Sequence, residues 1–201
     1  LVPEVYFWIA AWKGDFAPRL VIAASLVTVW GGRLTYNFSR LGGFSLILWR
    51  GEEDFRWAVL RKEPEFQSPT RWFFFHLVFI CIYQHILLWL MTSPVYMLFR
   101  HRNAPLGVFD LVFLGLFLAG FAFEIVADQQ QHWFQQDKRR RIERGEKISK
   151  TFIDVGLWAW SRHPNYMGEL TVWLSMYLLG ASVSGKWINW TFSGFLLLLI
   201  L

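Results

Sequence analysis

Apolar residues run along this chain in long blocks separated by shorter polar and basic loops. Arg71 to Phe99 (RWFFFHLVFICIYQHILLWLMTSPVYMLF) and Gly107 to Ala127 (GVFDLVFLGLFLAGFAFEIVA) approach or exceed the roughly 20 apolar residues that carry a helix across a bilayer core. Each predicts a membrane-spanning helix. Further spans are expected at about Arg19 to Trp30 extending toward Phe38, at about Leu170 to Ser184, and from Trp187 onward. The expected fold class is therefore all-α, a polytopic transmembrane helical bundle with about five spans. No Ser/Gly/Pro-rich linker divides the chain and no internal repeat is visible, so residues 1–201 read as a single membrane domain. The chain starts at Leu1 rather than Met and stops inside FSGFLLLLIL, and it is expected to be a fragment truncated at both ends.

The polar stretches sharpen this picture. The loop from Arg40 to Pro69 (RLGGFSLILWRGEEDFRWAVLRKEPEFQSP) carries paired glycines, an acidic cluster, and then Phe55, Trp57, Val59 and Leu60 mixed with Arg. That pattern predicts a short amphipathic helix lying in the membrane interface. From Gln129, good helix formers run without Pro or Gly to Gly145, so the preceding helix should continue past the membrane surface. Basic residues concentrate in two loops, Arg33 to Arg71 and Lys138 to Arg162, whereas the 100–106 loop holds only Arg100 and Arg102. By the positive-inside rule both basic loops lie on one face, the cytosol or matrix side. The net charge of +5 is thus explained without a nucleic-acid partner. With 55% hydrophobic and 19% aromatic residues, the composition is far on the apolar side for a soluble domain. The single cysteine, Cys81, excludes a disulfide framework.

Polar groups gather where hydrocarbon begins, in SRHPNYMGEL at residues 161–170. Pro164 should start a helix, placing Asn165, Gly168, Glu169 and Val172 on one face with Arg162 and His163 just before it. Two readings fit. The free backbone N–H groups with Arg162 and His163 make an anion site suited to a phosphate-bearing ligand, or the cations snorkel at a span end while Asn165 or Tyr166 caps the helix. Upstream, FEIVADQQ sets Glu124 and Asp128 four apart at the end of an apolar helix, either around a ligand or in structural ion pairs. In WGGRLTYNFSR, Arg33, Tyr36 and Arg40 share a face if the helix continues past the glycines. Tyr36 there suits either a proton donor or an interfacial aromatic belt. The chain has no GxSxG, P-loop, GxGxxG, HExxH or paired CxxC, and its five histidines lack metal-ligand spacing. No metal site is expected.

GLWAWSRHPNYMGEL resembles the C-terminal signature of the steroid 5-alpha reductase-like superfamily, in particular its bacterial and organellar branch of unknown function. WGGRL, GEEDFRW and FEIVADQQ, in that order, are similar to the same branch, so the resemblance covers about Trp30 to Trp173. It implies a helical bundle whose cavity binds NADPH and an enzyme that reduces an activated carbon–carbon double bond in a lipid of sterol, polyprenol or acyl type. It also implies that Asn165 and Tyr166 approach the cofactor and that Glu169 hydrogen-bonds within the site. Glu124, Asp128, Arg162 and His163 would serve the nucleotide, and Tyr36 would polarise the substrate carbonyl. Membrane lipids, and other membrane protein subunits, are the partners this implies. The endoplasmic reticulum or the mitochondrial inner membrane is the location. The sequence departs from the family at Gln135, where a basic residue is common, with Lys138 the first cation beyond. Two alternatives share parts of the pattern: a catalytically silent reductase-like subunit of a larger assembly, and an S-adenosylmethionine-dependent lipid methyltransferase.

Overall fold

A computed structural model describes residues 2–40, 55–148 and 150–200, and every secondary-structure element among them is helical. Helices form at all five positions expected for spans. Two of them, Pro69–Arg100 and Val108–Glu143, are long and apolar enough to cross a membrane. The chain divides into two compact units, Leu1–Asn103 and Ala104–Leu201.

The first unit opens with a helical hairpin, α1 (Val2–Lys13) and α2 (Pro18–Arg40). Asp15 and Phe16 turn the chain between them with φ of 53° each. The two helices pack on each other, and Phe7 and Ala11 on α1 and Leu20, Ala23, Ala24 and Val27 on α2 are buried. The first glycine of WGGR has a concrete task there. A Cβ on Gly31 would lie 1.6 Å from Oε1 of the buried Glu4, so a larger residue here would displace that carboxylate. α2 runs on through the glycines to Arg40, which meets the condition for Arg33, Tyr36 and Arg40 to share a face. The expected interfacial segment is described from Phe55 onward, as α3 (Phe55–Leu60) and a 3₁₀ turn at Pro64–Phe66, while residues 41–54 lie outside the described residues. The first long apolar stretch comprises α4 (Pro69–Phe75), a π-helical segment His76–Tyr83, α5 (Gln84–Thr92) and α6 (Pro94–Arg100).

The second unit is built on α7 (Val108–Glu143), α8 (Pro164–Ser184) and α9 (Phe192–Ile200). At 36 residues, α7 is about 54 Å long. That exceeds a bilayer core of about 30 Å, and the helix continues through the polar residues after Gln129, as the sequence reading expects. The buried positions Phe113, Phe117, Gly120, Glu124 and Ala127 alternate in steps of four and three, which gives one stripe along α7. That stripe packs antiparallel against α8 through Gly168 and Thr171. A Cβ on Gly168 would come within 2.8 Å of the Gly120 carbonyl oxygen and of Glu124 Cβ. This is the close helix approach that small residues allow in apolar surroundings. α8 starts at Pro164 as predicted and ends at Gly185 in the left-handed region, φ 65°.

Candidate nucleotide-binding cleft

The polar end of the second unit is assembled by one tight turn. After α7 the chain reverses at Gly145 and returns to a 3₁₀ turn, Gly156–Ala159, packed on the helix it left. The Leu157 N–H donates to Gln130 Oε1 at 3.0 Å, and Trp158 Nε1 donates to the Ala127 carbonyl at 3.0 Å. Gly156 has φ 61°, and a Cβ on it would lie 2.5 Å from the Gln130 side chain, so both backbone and space require glycine. The turn fixes where SRHPN begins.

A cleft of about 520 Å³ opens beside it. Gln131 and Gln135 of α7 form one wall, residues 151–154 a second, and Trp158, Arg162 and His163 the third. The Oε1 atom of Gln131 is buried and accepts no hydrogen bond, a cost normally met by a donor from a ligand or water. Arg162 and His163 are exposed, at the N-terminus of the 21-residue α8, where free backbone N–H groups favour negative charge. Gln135 lines the cleft beside Gln131. A neighbouring cavity of about 240 Å³ shares Asp154 and holds Lys138, Arg141 and Lys150. Arg141 pairs there with Asp137 at 2.8 Å, Lys150 pairs with Asp154, and Lys138 donates to the Thr151 carbonyl.

Of the expected site residues, the structure brings Arg162 and His163 into the cleft. Asn165 and Glu169 are half-buried on the first turns of α8, and Asp128 is half-buried on α7. Glu124 is 2% exposed and sits in the α7/α8 seam against Gly168. The Tyr166 hydroxyl donates to the Leu198 carbonyl of α9, tying two helices together. Tyr36 belongs to the first unit, is 61% exposed, and has the Arg40 guanidinium 4.9 Å over its ring.

The sequence family described as protein of unknown function (DUF1295) matches residues 2–201. This chain belongs to that family. It is also 37% identical over 187 residues to an uncharacterised protein of Schizosaccharomyces pombe, an alignment that covers 86% of the chain and 52% of the relative. The chain thus spans about half the length of that curated relative. No solved structure matches it.

Sequence reasoning missed Gln130, Gln131 and Trp158 of this DUF1295 chain. Glutamines in QQQH and a tryptophan in LWAW look like ordinary helix and interface residues. The available signal was Gly156, a glycine directly before an aromatic run, which marks a forced backbone and a close approach.

Proposed function

We propose that this protein is a membrane-embedded, NADPH-dependent reductase of a carbon–carbon double bond in a lipid of sterol, polyprenol or acyl type. On this reading it lies in the endoplasmic reticulum or mitochondrial inner membrane and crosses it about five times. The observation that carries the proposal is the cleft, which sets Arg162 and His163 against Gln131 with its unpartnered buried oxygen. A nucleotide matches that donor and acceptor set. Phosphate suits the Arg162 guanidinium and the N-terminus of α8. Ribose hydroxyls suit Gln131 and Asp154, and the rings of Phe152 and Trp158 offer apolar walls to a base. When bound, the cofactor supplies a hydride to the β carbon of an enone-like lipid. Asp128, Asn165, Tyr166 and Glu169 are the polar groups assigned to its remainder, and Glu124 supports them from the seam.

A second reading has its own observation. Tyr166 and Glu124 are both engaged in helix packing, which suits a silent structural subunit. Titration of NADPH into the purified full-length protein in nanodiscs separates the two. The expected result is micromolar binding, weakened about tenfold or more by Arg162→Ala, because a charge-assisted hydrogen bond contributes about 1.5–3 kcal/mol. Binding of S-adenosylmethionine instead would assign the chain to methyl transfer. Binding of neither nucleotide by a folded protein would assign it to a structural role.

A further inference from the structure

We propose that the turn between α8 and α9 is an interfacial anchor, which seats Trp187 and Ile188 in the boundary between headgroups and acyl chains of a lipid bilayer. The turn follows the C-terminal end of α8, whereas the cleft lies at its N-terminal end. This placement rests on the membrane-embedded part of the reading above and is independent of the reductase part.

A fixed scaffold presents apolar side chains outward here. Ile188 is 92% exposed and Trp187 49%. In a loose loop such exposure would signify little, but this turn is tied down along its length. The Gly185 N–H donates to the Ser182 carbonyl at 3.2 Å as α8 ends. The hydroxyl of the buried Tyr177 donates to the Trp187 carbonyl at 2.6 Å, and Asn189 Nδ2 donates to the Lys186 carbonyl at 2.9 Å. Asn189 Oδ1 in turn accepts from the N–H and the hydroxyl of Thr191, at 3.0 and 2.6 Å. Turning Ile188 inward would break these bonds. In water a fixed apolar tip gains nothing from its exposure. At a lipid boundary the same side chains leave water, with little ordering left to be lost on contact.

The neighbours of the tip decide what covers it. The Trp187 ring meets Phe109 at 5.7 Å and Phe113 at 6.5 Å, both edge to face. Those two residues stand in the first two turns of α7, where the candidate span Val108–Glu143 starts. Trp187 is therefore at the level where hydrocarbon begins, the level at which tryptophans concentrate in membrane proteins. Phe109 is itself exposed, so the tip continues into the uncovered face of α7, whose most apolar window is only 22% buried. A protein partner for the tip alone would leave that face bare, whereas lipid covers both. Residues 185–191 hold one charge, Lys186, which is exposed. Its long apolar stem lets the ammonium reach headgroups from beside a sunken Trp187.

Depth-resolved photolabelling of the unaltered full-length protein tests this. The protein is reconstituted in phosphatidylcholine vesicles containing one of two phosphatidylcholine probes, with a diazirine either near the glycerol end of an acyl chain or at its terminus, and adducts are located by mass spectrometry. The shallow probe is expected to label residues 185–191 severalfold more than the deep one. The deep probe should label α7 around Leu118, and neither should label the exposed residues 139–147. Labelling of α7 without labelling of 185–191 overturns the proposal alone, because the tip is then in water or under protein. Stronger labelling of 185–191 by the deep probe overturns it as well, by placing the turn in the core. Absence of adducts on α7 as well as on the turn removes the membrane-embedded reading and the proposal with it. Ile188→Gln, at a position too exposed to matter for packing, should lower the shallow-probe adducts on the turn severalfold. Unchanged adducts in that variant would show that the apolar tip does not hold the turn in lipid.

Discussion

At the residue scale the clearest constraint is the glycine pair where α7 and α8 meet. Gly168 has no room for a methyl group, with Gly120 O and Glu124 Cβ both 2.8 Å from where it would sit. Gly168→Ala should therefore cost about 1–3 kcal/mol, the usual range for overpacking. Gly115, on the same helix α7, faces open space, so Gly115→Ala should stabilise by up to about 1 kcal/mol through helix propensity alone. Thermal unfolding of both variants in one detergent checks the opposite signs, and a fall in both would show that the seam is not the cause. The sequence reading placed Gly168 on a shared face with Asn165 and Glu169, and it singled out Arg162 and His163, which do line the cleft. It could not place Glu124 in the seam rather than in a cavity. An intramembrane carboxylate has the same neighbours in sequence in either case, and only the partner helix distinguishes them.

Between elements, the 3₁₀ turn at 156–159 is held to α7 by two side-chain hydrogen bonds, from Leu157 N–H to Gln130 and from Trp158 to the Ala127 carbonyl. Each is expected to contribute about 1 kcal/mol. Because both secure the same turn, Gln130→Ala and Trp158→Phe should be non-additive, the double variant costing less than the sum. Hydrogen exchange over residues 145–163 should rise sharply with either change, and strictly additive losses would mean the two bonds act on separate structures. The run of α7 to Glu143 and the start of α8 at Pro164 were legible because propensity and a proline mark them locally. The π-helical turn at His76–Tyr83 was not. In a block such as HLVFICIY, apolar throughout its interior, no polar residue between His76 and Tyr83 reports the change in period.

For the molecule as a whole, the deciding question is what covers its apolar surface. The most apolar windows of the two long helices are 6% and 22% buried, whereas the core helix of a water-soluble protein is enclosed. Leu118 lies midway along the apolar half of α7 and is 49% exposed. In water, an exposed leucine tolerates replacement by arginine within about 0.5 kcal/mol. In hydrocarbon, the same arginine costs about 2.5–3.5 kcal/mol at the centre of a span. Leu118→Arg therefore separates the two environments by the size of a single effect. If α7 spans a membrane, the variant should insert poorly and lose resistance to alkaline carbonate extraction, while Arg144→Leu, just past the polar end of α7, leaves extraction unchanged. A Leu118→Arg protein as stable and as membrane-bound as the parent would mean that this face of α7 meets water, and the spanning role of the helix would have to be given up.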